Sequence, residues 1–238
     1  MVDMTMTNES DNLGFAASEN SVRDEVFKTG IGTYQTEHSG LAMRILDAWR
    51  NMRASTQRLI DENPSEGRLL FYILLSDMVF FLSWSLKAVV APTLGAKDLL
   101  PAEIGIWLIV ALFARTLVVY LFSVVLSLVM RVLGGTGSWK STRAGVFWGS
   151  LVAAPFGLLF AMITVTFASL ETTYPFLKGE IISQAPYWLS LIPFVYFISA
   201  GVAQAHGCRQ TFPVFAGMSI TAMALWFFAL YMRANGVI

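Results

Sequence analysis

The stretch IVALFARTLVVYL, residues 109–121, sets one arginine, Arg115, among residues otherwise suited almost entirely to hydrocarbon. A helix needs about twenty predominantly apolar residues to cross the core of a bilayer, and this stretch lies within such a run over 104–130. Four other segments are of the same kind, at 69–91, 146–169, 187–204 and 212–232. The expected fold is therefore all-α, a polytopic membrane bundle of five transmembrane helices.

Composition agrees with that expectation. Apolar residues make up 55% of the chain and charged residues 13%, about half the charged share of an ordinary soluble domain. The formal net charge is zero, and no basic patch of the kind that binds nucleic acid is present. Cys208 is the one cysteine, so no intramolecular disulfide and no paired-cysteine metal or redox motif can form. The first twenty residues lack a basic stretch followed by an apolar one, so insertion is expected to be driven by an internal span rather than a cleaved leader.

Orientation follows from the Lys and Arg residues in the connections, because cytoplasmic loops retain positive charge. Eleven of them fall before the first span, between the second and third, or between the fourth and fifth; four fall on the other side. The N-terminus is expected in the cytoplasm and the C-terminus on the opposite face.

Residues 1–40 carry seven acids against Arg23 and Lys28 and have little apolar surface, the composition of a disordered tail. Over 41–63 the pattern changes. Leu41, Ile45, Trp49, Met52, Leu59 and Ile60 share one helical face, with Arg44, Asp47, Arg50, Asn51 and Arg58 opposite and Arg53 beside them. An apolar stripe holding a Trp and bordered by arginines suits a helix lying in the headgroup layer, where anionic lipid attracts the cations. The same stripe also suits a helix docked on the other spans or on a protein partner. Asn63 and Pro64 are expected to end it.

Residues 126–159, LSLVMRVLGGTGSWKSTRAGVFWGSLVAAPFGLL, join the second span to the third through Gly134, Gly135 and Gly137, then Lys140 and Arg143, then a mid-span proline, Pro155. Glycines let the chain reverse between helices, and Ser141 and Thr142 are candidate caps for the helix that follows. Ala153, Ala154 and Gly157, Gly201 with Ala205, and Gly217 with Thr221 form small-residue faces on which helices pack closely. Pro155 and, in the fourth span, Pro193 are candidate hinges. This segment resembles the Yip1 domain family, in particular its bacterial members. The resemblance covers the topology of a membrane domain over 68–238 and implies a multi-pass protein of the bacterial inner membrane with a periplasmic C-terminus. The Asp-Leu-Tyr-Gly-Pro type motif of eukaryotic members is absent, so the resemblance brings no role with Rab GTPases.

Arg115 does not lose its proton in proteins, so its five donors need acceptors. Asp77, in LLSDMVFF of the first span, is the only acid inside a span and its leading partner, ahead of Tyr196 and Ser199. With Arg68 and Arg131 on one level and about 1.5 Å of rise per residue, the two side chains differ in depth by about 10 Å, a gap that tilt and side-chain reach can close. Such a pair is either a structural ion pair or part of a polar pathway. His206 and Cys208 read as a helix-end histidine and an incidental thiol.

No nucleophile with its base, carboxylate pair, phosphate-binding loop or metal spacing appears; neither catalysis nor a cofactor is expected. The expected partners are the lipid bilayer, anionic lipid at the amphipathic helix, and a membrane protein or further copies of the chain. The expected role is a non-catalytic interaction or scaffold protein. The competing expectation is a small oligomeric transporter or channel built on Asp77 and Arg115.

Overall fold

Backbone that has no water to bond must satisfy its own N–H and C=O groups, and a helix does so within a single segment. All regular elements among the described residues are indeed helical. The computed structural model describes residues 40–90, 101–178 and 180–235; apart from Gly40, the acidic tail expected over 1–40 lies outside them. Among the described residues seven α-helices follow one another: α1 Leu41–Arg50, α2 Met52–Asp61, α3 Glu66–Val90, α4 Pro101–Val132, α5 Trp139–Leu170, α6 Glu180–Ala205 and α7 Phe212–Ala234. A 3-10 turn, Pro175–Lys178, precedes α6. Four helices among the described residues contain stretches long and apolar enough to cross a membrane: Glu66–Leu86, Leu112–Val132, Trp139–Leu170 and Trp188–Ala205. The described apolar part of α7, Phe212–Ala224, is shorter.

The hub is α5. Each residue from Ala144 to Ala154 is buried, enclosed by α2, α3, α4 and α6. Its contact with α6 is the most extensive between described helices, and glycine lets it be close. A Cβ on Gly145 would come 2.7 Å from the Gly201 carbonyl group, and one on Gly149 would come 2.8 Å from Ile198 Cα. The two backbones therefore touch, as small-residue faces allow. Gly201, singled out in the sequence, meets Gly145 rather than continuing a patch with Ala205, and Gly157 meets the ring of Phe80. Around Gly217, by contrast, a Cβ would find open space.

Segment 41–63 departs from the single amphipathic helix expected of it. Asn51 leaves the helical region at φ −148° and its side chain accepts from Ala54 N–H at 3.1 Å, so a new helix is capped where the old one was expected to continue. Of the expected stripe, Met52 and Leu59 are buried, Leu41, Ile45 and Ile60 half-buried and Trp49 exposed; Ala48, Ser55 and Thr56 also turn inward, while Met43 and Leu46 face outward, with α2 seated on α6 and α5. At the far end Asn63 adopts φ 47°, a left-handed conformation that asparagine tolerates, and Pro64 follows.

Between α4 and α5, Gly134 takes φ 89°. Its N–H donates to Arg131 C=O at 3.0 Å and that of Gly135 to Met130 C=O at 2.7 Å, the paired bonds that close a helix on a left-handed residue. Gly207 ends α6 in the same way, at φ 68°, with Cys208 N–H on Ala203 C=O at 2.8 Å. The cap of α5 is Ser138, whose hydroxyl accepts from Ser141 N–H at 3.0 Å. Ser141 and Thr142, the expected caps, instead bond back to the Ser138 carbonyl at 2.8 and 2.9 Å.

Candidate functional site

Asp77 on α3 and Arg115 on α4 are brought together: Arg115 Nη1 donates to Asp77 Oδ1. The other carboxylate oxygen lies 2.8 Å from Thr116 Oγ1, whose single hydrogen is shared between it and the Leu112 carbonyl at 2.7 Å, and the guanidinium lies 4.0 Å from the centre of the Phe80 ring. The Asp77 side chain is 1% exposed and that of Arg115 27%, so the acid forms the inner end of the pair and the base its outer rim. Thr116 and Phe80 were not legible as partners. Thr116 follows Arg115 in the chain and Phe80 stands three residues after Asp77, but only the facing of the two helices makes them converge.

The 10 Å depth gap has a definite origin. Arg143 pairs with Glu66 at 2.8 Å, and Tyr120 stacks on Phe147 with ring centres 4.8 Å apart. These two contacts index α3 and α4 against α5. Counting rise from them puts Asp77 and Arg115 within about 3 Å of one level, and leaves Arg131 about 13 Å below Arg68. The assumption of a shared base was the error: α4 overhangs α3 at that end.

Arg44 of the first helix and Arg53 of the second are engaged by the protein. Arg44 pairs with Glu62 at 2.8 Å, and Glu62 also takes Arg68 at 2.6 Å. Arg53 donates to Gln204 Oε1 at 2.9 Å and to the carbonyls of Cys208 and Arg209 at 2.5 and 2.7 Å, fastening α2 to the end of α6. Arg50 is exposed and Arg58 half-buried. Trp49 turns its indole N–H to the Val152 carbonyl at 2.9 Å and packs on Phe156, centres 5.0 Å apart. That contact lies beside Pro155, which stands inside the continuous helix α5. A proline has no N–H for the carbonyl four residues back, here that of Leu151; Trp49 bonds the next carbonyl along, that of Val152. Pro193 lies inside α6, as does Pro186.

His206, read from the sequence as a helix-end histidine, stands directly after α6; it is 2% exposed and holds the α4–α5 turn against the end of that helix. Gly137 N–H donates to its Nδ1 at 3.2 Å, and Thr142 Oγ1 stands 2.8 Å from its Nε2. Gly135 and Gly137 are needed here for closeness: a Cβ on either would lie 2.7 or 2.8 Å from Nδ1. Among the described residues no group of three His, Cys, Asp or Glu side chains could hold a metal ion.

Four helices of spanning length and apolarity among the described residues, two of them joined by a charge pair, mark a multi-pass helical membrane protein. Compared with protein-family models, curated proteins and solved structures, the chain gives no match.

Proposed function

We propose that this chain is a non-catalytic membrane protein of the bacterial Yip1 type, which works by associating with other components of the inner membrane. In this reading α7 is a fifth span, the N-terminus is cytoplasmic and the C-terminus periplasmic. The outward face of α1, with Met43, Leu46 and exposed Arg50, rests among anionic headgroups. The observation that carries the reading is the closure of the intramembrane charges on each other. Asp77 is sealed between Arg115 and Thr116, an arrangement that neutralises two costly groups rather than lining a path. The faces left open are apolar, as on α4 at Phe113, Leu117 and Leu121, and suit lipid or another helix.

The test is purification of the tagged full chain in mild detergent after crosslinking in the membrane, alongside solute flux in liposomes. A stoichiometric complex, with further copies or with one partner, supports the association reading. Flux that Arg115→Leu abolishes while the fold persists would replace it with the transporter.

A further inference from the structure

The hydrogen bonds around His206 fix its protonation state by elimination. Gly137 N–H can only donate, so Nδ1 accepts and carries no proton. The neutral ring therefore holds its proton on Nε2. Thr142 has a single hydroxyl hydrogen and directs it to the Ser138 carbonyl at 2.9 Å, which leaves its oxygen free to accept from Nε2 at 2.8 Å. One chain of bonds thus runs from Gly137 N–H through the imidazole and Thr142 to the cap of α5. Only the Nε2–H tautomer completes it.

We propose that His206 is a proton-operated latch between the α4–α5 turn and the end of α6, closed on Gly137 when the ring is neutral and released when it is protonated. A second proton would occupy Nδ1 and set it donor to donor against Gly137 N–H. The Gly135 backbone, by contrast, favours the charged ring. Thr136, which donates N–H to the His206 carbonyl at 3.4 Å, lies between the two glycines and moves with them.

The surroundings favour the closed state. Burial, then the positive charge of Arg131 on α4, hold the imidazole below its ordinary value of 6.5, against the Gly135 bond. On α5, Lys140 is tied to Asn63 and Arg143 to Glu66. On α2, Arg53 is tied to Gln204 and to the carbonyls of Cys208 and Arg209. Of these charges, Arg131 is the one that acts on the ring. The latch depends on the geometry of the turn and not on the association role.

The test uses the full chain in lipid nanodiscs. Its only other histidine, His38, serves as an internal reference for 15N-histidine NMR, with amide exchange at Gly137 measured across the titration. The expected result is an Nε2–H tautomer at neutral pH, a His206 midpoint below the ordinary value near 6.5, and a Gly137 protection factor, corrected for the intrinsic pH dependence of exchange, that falls roughly tenfold as His206 titrates, the scale of one lost hydrogen bond. A proton on Nδ1 in the neutral ring, or exchange at Gly137 that ignores the titration, overturns the proposal. His206→Gln keeps an acceptor and a donor in place, so exchange at Gly137 should lose its pH step; a surviving step also overturns it. Arg131→Gln, at an exposed position, should move the His206 midpoint and the Gly137 step upward together. A step that stays while the midpoint moves breaks the coupling.

Discussion

Asp77 and Arg115, 38 positions apart, meet between α3 and α4 with the carboxylate buried inward and the guanidinium toward the rim. The carboxylate depends on the arginine for its neutralisation. Arg115→Ala therefore leaves a buried charge unpaired, a change that costs about 3–5 kcal/mol. Folded yield and melting temperature in detergent should fall, and Asp77→Asn in the same chain should restore most of the loss. A double variant no better than Arg115→Ala would show that the pair is not what the arginine supports.

The crossing of Gly145 with Gly201 admits no side chain, because the obstacle is backbone rather than a movable tip. Gly145→Leu should destabilise the fold by about 3 kcal/mol or more, at or above the upper end for overpacking. Gly217→Leu meets open space within the chain and should leave the melting temperature unchanged. If α7 joins copies or partners through that face, Gly217→Leu should reduce the crosslinked complex while the monomer stays folded.

Trp49→Phe keeps the ring against Phe156 and removes the indole bond to Val152. A loss of about 1 kcal/mol is expected, with a larger loss for Trp49→Ala. Replacing Pro155 by Ala restores a donor to the Leu151 carbonyl, one residue before the carbonyl that Trp49 bonds, so the Trp49→Phe penalty should be the same in the Pro155→Ala background. Thermal melts of the four chains form the cycle that measures this.

Stability should depend on pH through His206 in a stated direction. The folded ring binds its proton less readily than the unfolded one, so its contribution is complete above the ordinary value near 6.5 and falls as pH drops below it. Between about pH 7.5 and 5.5, the wild-type chain should lose more stability than His206→Gln. Equal losses in the two chains would remove His206 from the account.

Reporters fused to the two ends should fall in opposite compartments. Ends in the same compartment would remove the fifth span and, with it, the proposed topology.

The helical class and the four described spans were legible in the sequence, because hydrocarbon leaves a backbone few ways to satisfy its polar groups and the length of an apolar run measures the crossing. Asp77 and Arg115 were legible for the same reason: a charge in such a run is conspicuous and has few partners to choose from. The break at Asn51, the overhang of α4 and the place of His206 were not. Each depends on which residues face one another across helices, and hydropathy carries no phase between segments. A capping side chain overrode the amphipathic period at Asn51. Contacts at Glu66 and Tyr120, far from the charged pair in sequence, set its depth. The tertiary structure alone turned a lone histidine into the clasp of a glycine turn, since its partners are backbone groups that any sequence possesses and only packing can bring within reach.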